Sequence, residues 1–258
     1  MREDPTAIAA AISLLVVAGC AGAVLAVCAG DVQGKAVLRG TPPPEKVVDL
    51  SGFDEVRRAY PELVGRLRTR HYRVSADGGL ANVFVYVKRG LEGRSFPISI
   101  NTPLLDQTQA GFYPYVLGVR TNQTFLIRNS EPYLDTVHAL PKVNREFNIA
   151  QPARGMVSAQ QFEKPEVLIR LKCEVHPWEF AFIGVVEHPF FAVTEEDGQY
   201  RLPRGLPAGK YVLEAVHPKA GRQTREVEVA EGQNQSVNFT FEAQARGESS
   251  GVTAVPNH

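Results

Sequence analysis

From Val32 onward the chain alternates short apolar-rich runs with turn residues, the texture of a protein built from many short strands. In "ANVFVYVKRG" the side chains of Val83, Val85 and Val87 fall on one face at a period of two. The segments "VQGKAVLRG", "TNQTFLIRNSE", "PEVLIRLKCEV" and "FAFIGVVEH" behave alike, each alternating or continuously apolar over a strand length. Two packed sheets are the expected outcome. After His188 the texture changes, and "YVLEAV", "REVEVA" and "SVNFTF", punctuated by "EEDG" and "PAG", read as a second, smaller sandwich. One stretch carries a helical period: Phe53, Val56, Tyr60, Val64 and Leu67 recur at steps of three and four, with Pro61 expected to split two short helices. Arg57, Arg58, Arg66, Arg68 and Arg70 crowd that segment and read as a solvated face. The closing 244–258 stretch is polar and turn-rich and is expected to be disordered.

At the other end, Ala7 to Gly30 holds no charged residue in 24 positions, where roughly 20 apolar residues suffice to cross a bilayer as a helix. A cleaved export signal would start basic and carry an apolar core of about 7–15 residues, whereas this run opens "MREDP" and continues further. A retained transmembrane anchor over 1–30 is therefore expected. The alternative is a lipoprotein with its lipid on Cys20 of "VAGC", against which the eight residues that follow stay apolar. Gly19 with Ala23, and Gly22 with Ala26 and Gly30, place small residues at a spacing that admits a second helix in lipid. Charge does not orient the segment, since Arg2 on one side faces Lys35 and Arg39 on the other.

Lysine plus arginine equals aspartate plus glutamate at 28 each, so no net field draws the chain to nucleic acid, and no nucleic-acid partner is expected. With 44% hydrophobic and 22% charged residues the composition is globular. Of the three cysteines only Cys173 lies outside the apolar run, which excludes an intrachain disulfide beyond it. Three residues later comes His176. A thiolate and an imidazole at this spacing reach one metal if they share a tight loop after a strand, and "VLIRL" supplies the strand. A buried structural thiol beside a surface histidine explains the pair as well.

The surrounding text narrows this choice. "FLIRNSEPYLDTVHALPKVNREFNIAQP", followed by "CEVHPWEFAFIGVVEHPFFAVTEEDGQYRLPRGLPAGKYVLEAVHP", resembles the periplasmic cupredoxin-like proteins labelled plastocyanin-like or methylamine-utilisation-like, over about Leu104 to Val229. The resemblance implies a Greek-key β-sandwich on the periplasmic side of the cytoplasmic membrane, followed by a carboxypeptidase-regulatory-like, transthyretin-type module. It also implies one copper, held by a histidine of "H-N-V-H" and the cysteine, histidine and methionine of "C-x-x-H-P-W-M". Two imidazoles and a thiolate with a weak axial thioether form the blue electron-transfer site.

Carried over by position, Cys173 and His176 are present, but the first histidine falls on Asp135, its asparagine neighbour on Thr136, and the methionine on Glu179. An upstream "C-x-F/Y-x-P-H" of the family becomes "AGFYPY", with Ala110 and Tyr115 replacing cysteine and histidine. His138 matches the second histidine of the first segment, but an offset of three along a strand turns it to the face opposite Asp135. The candidate metal residues are thus Cys173, His176, His138, Asp135 and Glu179. An empty site is the expectation, with copper in an altered form, or another divalent ion such as zinc, as the alternatives. Trp178 is expected to cover the mouth of the site or to anchor a partner, and His188 and His217 to serve packing or turn hydrogen bonds.

The sequence thus predicts an all-β protein: an anchor over 1–30, a cupredoxin-like domain over 31–187 with a helical insertion near 53–70, a carboxypeptidase-regulatory-like domain over 188–243, and a tail. No nucleophile motif or phosphate loop supports an enzyme. The expected role is a non-catalytic subunit that docks other subunits of a respiratory or photosynthetic membrane complex. The alternative is a copper electron carrier using Cys173 and His176.

Overall fold

The computed structural model describes residues 30–97 and 99–243. The anchor expected over 1–30 lies, Gly30 apart, outside the described residues, as does the tail over 244–258. No helix among the described residues is long and apolar enough to cross a membrane.

The expected all-β architecture is observed. In chain order the strands are β1 (Val32–Arg39), β2 (Phe84–Arg89), β3 (Leu104–Gln107), β4 (Phe112–Tyr113), β5 (Val116–Arg120), β6 (Phe125–Asn129), β7 (Asp135–Leu140), β8 (Phe147–Gln151) and β9 (Val157–Gln160). Then come β10 (Glu166–Lys172), β11 (Phe180–Val186), β12 (Phe191–Val193), β13 (Gln199–Arg201), β14 (Gly209–His217), β15 (Gly221–Val229), β16 (Gln235–Ser236) and β17 (Phe239–Glu242).

A first pair of sheets comprises β5-β11-β10-β7-β8 and β4-β3-β6-β9, with β5 parallel to β11 and β3 parallel to β6. Between them lies a core including Leu105, Phe125, Ile127, Val137, Phe162, Ile169, Leu171 and Ile183. Each such side chain, fully buried, contributes about 1.5–3 kcal/mol. Cys173 sits at the end of this core.

The second pair comprises β12-β2-β14-β15 and β13-β1-β16, with β17 joined parallel to β1. Here the domain boundaries expected from sequence are corrected. Strands β1 and β2, expected within a unit running from 31 to 187, pair with strands from the 188–243 region instead. The physical reason is core supply. Val32, Ala36, Leu38, Val83, Val85 and Val87 fill the same core as Leu213, Ala215, Phe239 and Phe241.

Strand β2 is buried on both faces, which explains its nearly continuous apolar run. Its valines face the second core, while Phe84 and Tyr86 turn the other way, toward Tyr115, Val116, Phe180 and Val186 of the first unit. Glycine makes this join possible: a Cβ on Gly184 would lie 2.6 Å from the Phe84 ring, and one on Gly118 would lie 2.3 Å from Phe191.

Of the expected helical segment, one helix forms, α1 (Asp54–Ala59), followed by a 3-10 turn over Pro61–Leu63. Pro61 ends α1 because its ring cannot continue the hydrogen-bond ladder, and it opens the next turn, where no N–H is needed. The helical period does not extend further, and Val64 is exposed. Val56 is fully buried in a small cluster with Val48, Leu50, Ala110 and Tyr133, against which Phe53, Tyr60 and Trp178 pack. Arg70 departs from the expected solvated face: it donates to the Phe112 carbonyl at 2.9 Å and lies over the Tyr113 ring.

Candidate metal centre

The loop between β10 and β11 is closed by backbone hydrogen bonds from Cys173 N to Glu179 O (3.0 Å) and from Glu179 N to His176 O (2.9 Å). This turn brings three side chains of one heptapeptide, Cys173, His176 and Glu179, to the same point. The fourth, Asp135, opens β7, which lies beside β10. Ligand atoms of all four residues lie within 4.8 Å of one another, and all four side chains are buried. His176 Nδ1 donates to Asp135 Oδ1 at 2.7 Å and lies 3.6 Å from Glu179 Oε1. Cys173 Sγ is 3.4 Å from Asp135 Oδ1 and 3.7 Å from His176 Nδ1.

His138 does not join them. Strand alternation sets Asp135 and Val137 inward and Thr136 and His138 outward. His138 instead contacts Glu174 and Glu146, the latter at 2.5 Å through Nε2. Its inclusion among the candidate ligands is therefore corrected. The flanking carboxylates raise it above the ordinary histidine value, Glu174 foremost. Nor does Tyr115, at the position of the family's upstream histidine, reach the cluster; its ring packs on Phe180 and Phe182. Ala110 lies nearer, accepting a hydrogen bond from Trp178 Nε1 at 3.1 Å.

Further residues complete the surroundings of the cluster, and of these Phe53, Glu55 and Tyr133 carry no signal of that role in the sequence. The backbone N–H groups of Val175 and His176 both point at Cys173 Sγ at 3.3 Å, and Thr136 Oγ1 lies 3.5 Å from it. From α1, Glu55 Oε1 faces His176 Nε2 at 3.4 Å. Phe53, Tyr133 and Trp178 surround the imidazole, with ring centroids 5.8, 5.1 and 5.3 Å away. Trp178 thus covers the site, as expected, together with the inserted helix. Glu55 stands 121 residues from His176 in sequence, and no local pattern links them.

The electrostatics are those of an anion-rich pocket closed to water. Burial drives His176 toward its neutral form, but Asp135, Cys173 and Glu179 outweigh that and raise it to about 10. Burial first, then Asp135, holds Glu179 well above the carboxylate range. Glu131, held in the same direction by burial, accepts hydrogen bonds from Tyr60 Oη at 2.5 Å and Ala110 N at 2.8 Å behind the covering layer. Both Glu179 oxygens and Asp135 Oδ2 are buried without a hydrogen-bond partner among the described residues.

This donor set does not fit a blue copper. Such a centre takes two imidazoles, a thiolate and a weak thioether; the cluster offers one imidazole, one thiolate and two carboxylates. Met156, the one methionine among the described residues, is exposed immediately before β9.

No family model matches the chain, and no curated protein does. Similar solved structures include the Cu-containing nitrite reductase of Thermus scotoductus, at 18% identity and a TM-score of 0.33, with 40% of this chain covered and 25% of that one. A purple cupredoxin of Nitrosopumilus maritimus matches at 16% identity and a TM-score of 0.28, covering 32% of this chain and 98% of that one. A methionine-to-alanine variant of amicyanin in its Cu(I) form matches at 16% identity and 0.30, covering 39% and 97%. The chain therefore spans about a quarter of the nitrite reductase's length.

Proposed function

We propose that this chain is a cupredoxin-like, non-catalytic protein that has given up its redox copper and serves as a structural or docking subunit of a membrane electron-transfer complex. The carrying observation is the pairing of His176 with Asp135 at 2.7 Å, beside a buried Glu179 where the resemblance places a thioether. Carboxylates in place of the thioether and of one imidazole make the donor set harder and disfavour Cu(I), the reduced state an electron carrier must hold. The cupredoxin reading is supported by the placement of the cluster, with one donor opening β7 and three on the turn that joins β10 to β11. The apolar run before β1 would hold the chain at the cytoplasmic membrane, with its sandwiches on the periplasmic side. The C-terminal strands, completed by β1 and β2, supply the module that resembles the carboxypeptidase-regulatory type.

One observation favours the copper carrier as a second reading: two backbone N–H groups aim at Cys173 Sγ, as they would at a ligating thiolate. One preparation separates the two. The chain is extracted in mild detergent, its co-eluting subunits are identified, and Cu(II) is added. Stable co-elution with other subunits and no intense visible thiolate-to-copper band are expected. A monodisperse protein without partners that turns blue with one copper would refute the subunit reading.

A further inference from the structure

We infer that Asp135, Cys173, His176 and Glu179 form a binding site for a borderline divalent cation of the zinc class. The inference rests on the reading that redox copper has been lost, and it assigns the remaining pocket a different ion.

Four observations carry it. The first is unsatisfied charge-bearing oxygen: Glu179 Oε1 and Oε2 and Asp135 Oδ2 are buried and unpartnered, although buried polar atoms in proteins are nearly always hydrogen-bonded. They belong to the residues whose ligand atoms converge, so a cation at the cluster would supply the partner they lack. The second is spacing. Tetrahedral zinc places its nitrogen and oxygen donors about 3.3 Å apart and its sulfur about 3.6 Å from each. Three of the observed separations, 3.4 Å from sulfur to Asp135 Oδ1, 3.7 Å from sulfur to His176 Nδ1 and 3.6 Å from Nδ1 to Glu179 Oε1, lie within about 0.3 Å of that pattern. The fourth, 2.7 Å between His176 Nδ1 and Asp135 Oδ1, is a hydrogen bond that a cation would replace and lengthen.

The third observation is the far side of the imidazole. Histidines that ligate metals characteristically donate their other N–H to a carboxylate, which fixes the tautomer and leaves the ligating nitrogen free. Glu55 Oε1 stands 3.4 Å from His176 Nε2, and Nδ1 is the atom that faces the cluster. The fourth is the sulfur, which receives N–H groups from Val175 and His176 and lies near the Thr136 hydroxyl. A sulfur that accepts such N–H groups is placed as an electron-pair donor, the role a metal-ligating sulfur plays. Sulfur, imidazole and carboxyl oxygen together are the donor types that zinc-class divalent ions take.

The test uses the full chain in detergent, stripped with chelator and titrated with Co(II), whose spectrum reports geometry and thiolate ligation, and then with Zn(II). One Co(II) per chain is expected, with intense tetrahedral visible bands and a thiolate-to-cobalt band, displaced by one equivalent of Zn(II). Zn(II) should bind at least tenfold more weakly to Glu179→Gln and to Asp135→Asn, and unchanged to His138→Gln. Circular dichroism verifies the fold of each variant. Should a variant not fold, Zn(II) protection of Cys173 in the wild-type chain from alkylation in mild denaturant decides, and no protection overturns the inference. It is equally overturned by no saturable binding, by binding that survives both substitutions, or by a cobalt spectrum without the thiolate band. Cu(II) is added to a separate sample. A blue band there overturns the copper-loss reading, whereas no blue band together with no cobalt binding leaves that reading standing and removes this one.

Discussion

Replacing Glu179 with methionine should stabilise the metal-free protein. Glu179 is buried, and neither of its oxygens has a hydrogen-bond partner among the described residues. An unsatisfied buried polar group costs about 1–3 kcal/mol. Methionine is similar in length and adapts to irregular space, so the repacking cost stays below about 1.5 kcal/mol. The balance is a gain of about 1–2 kcal/mol, and since 1 kcal/mol moves the midpoint of a protein this size by about 2–4 °C, Tm should rise by ~2–8 °C. Differential scanning calorimetry of the full chain in chelator measures it. The same substitution should reverse sign in Zn(II): a ligand at a hundred times its Kd stabilises by about 2.7 kcal/mol, and the variant should lose most of that gain. A Glu179→Met protein less stable than wild type by 1 kcal/mol or more in chelator would refute the reasoning, because it would mean that the carboxyl already has good partners.

Three further outcomes follow. His217 is held down to about 4 by burial first and then by positive His71 and Lys219, and its Nδ1 accepts N–H groups from Lys219 and Ala220. Between the ordinary value near 6.5 and about 4 the unfolded chain binds the extra proton, so stability falls as pH drops through that window, by ~3 kcal/mol in all; denaturant titrations should show this slope flattened in His217→Gln. Gly184→Ala should cost about 1–3 kcal/mol by overpacking against Phe84 at the join of the two units, read as a lower denaturant midpoint at constant m-value. Deleting Val32–Arg39 strips β13, β16 and β17 of their shared partner, so amide exchange should become fast across those strands; unchanged protection there would contradict the strand assignment.

The elements legible in the sequence were those set by local pattern. Period-two alternation placed Val83, Val85 and Val87 on one face, and all three do line one core. It could not say which core, because pairing of β2 with β14 joins residues more than a hundred positions apart, and for that reason β1 and β2 were expected in the wrong unit. The same division holds at the cluster. Cys173, His176 and Glu179 share one turn and were readable together, and alternation along β7 turned His138 outward of Asp135. The cover over His176 was only partly visible: Trp178 is adjacent in sequence, whereas Phe53 and Glu55 arrive on an inserted helix whose docking depends on Val56 and Tyr133 packing.

The most direct measurement is the metal content per chain of the protein isolated from its native cells without added metal, read with its visible spectrum. Copper is expected far below one per chain, with zinc or a similar divalent ion in its place and no blue band. One copper per chain with an intense thiolate-to-copper band would contradict it.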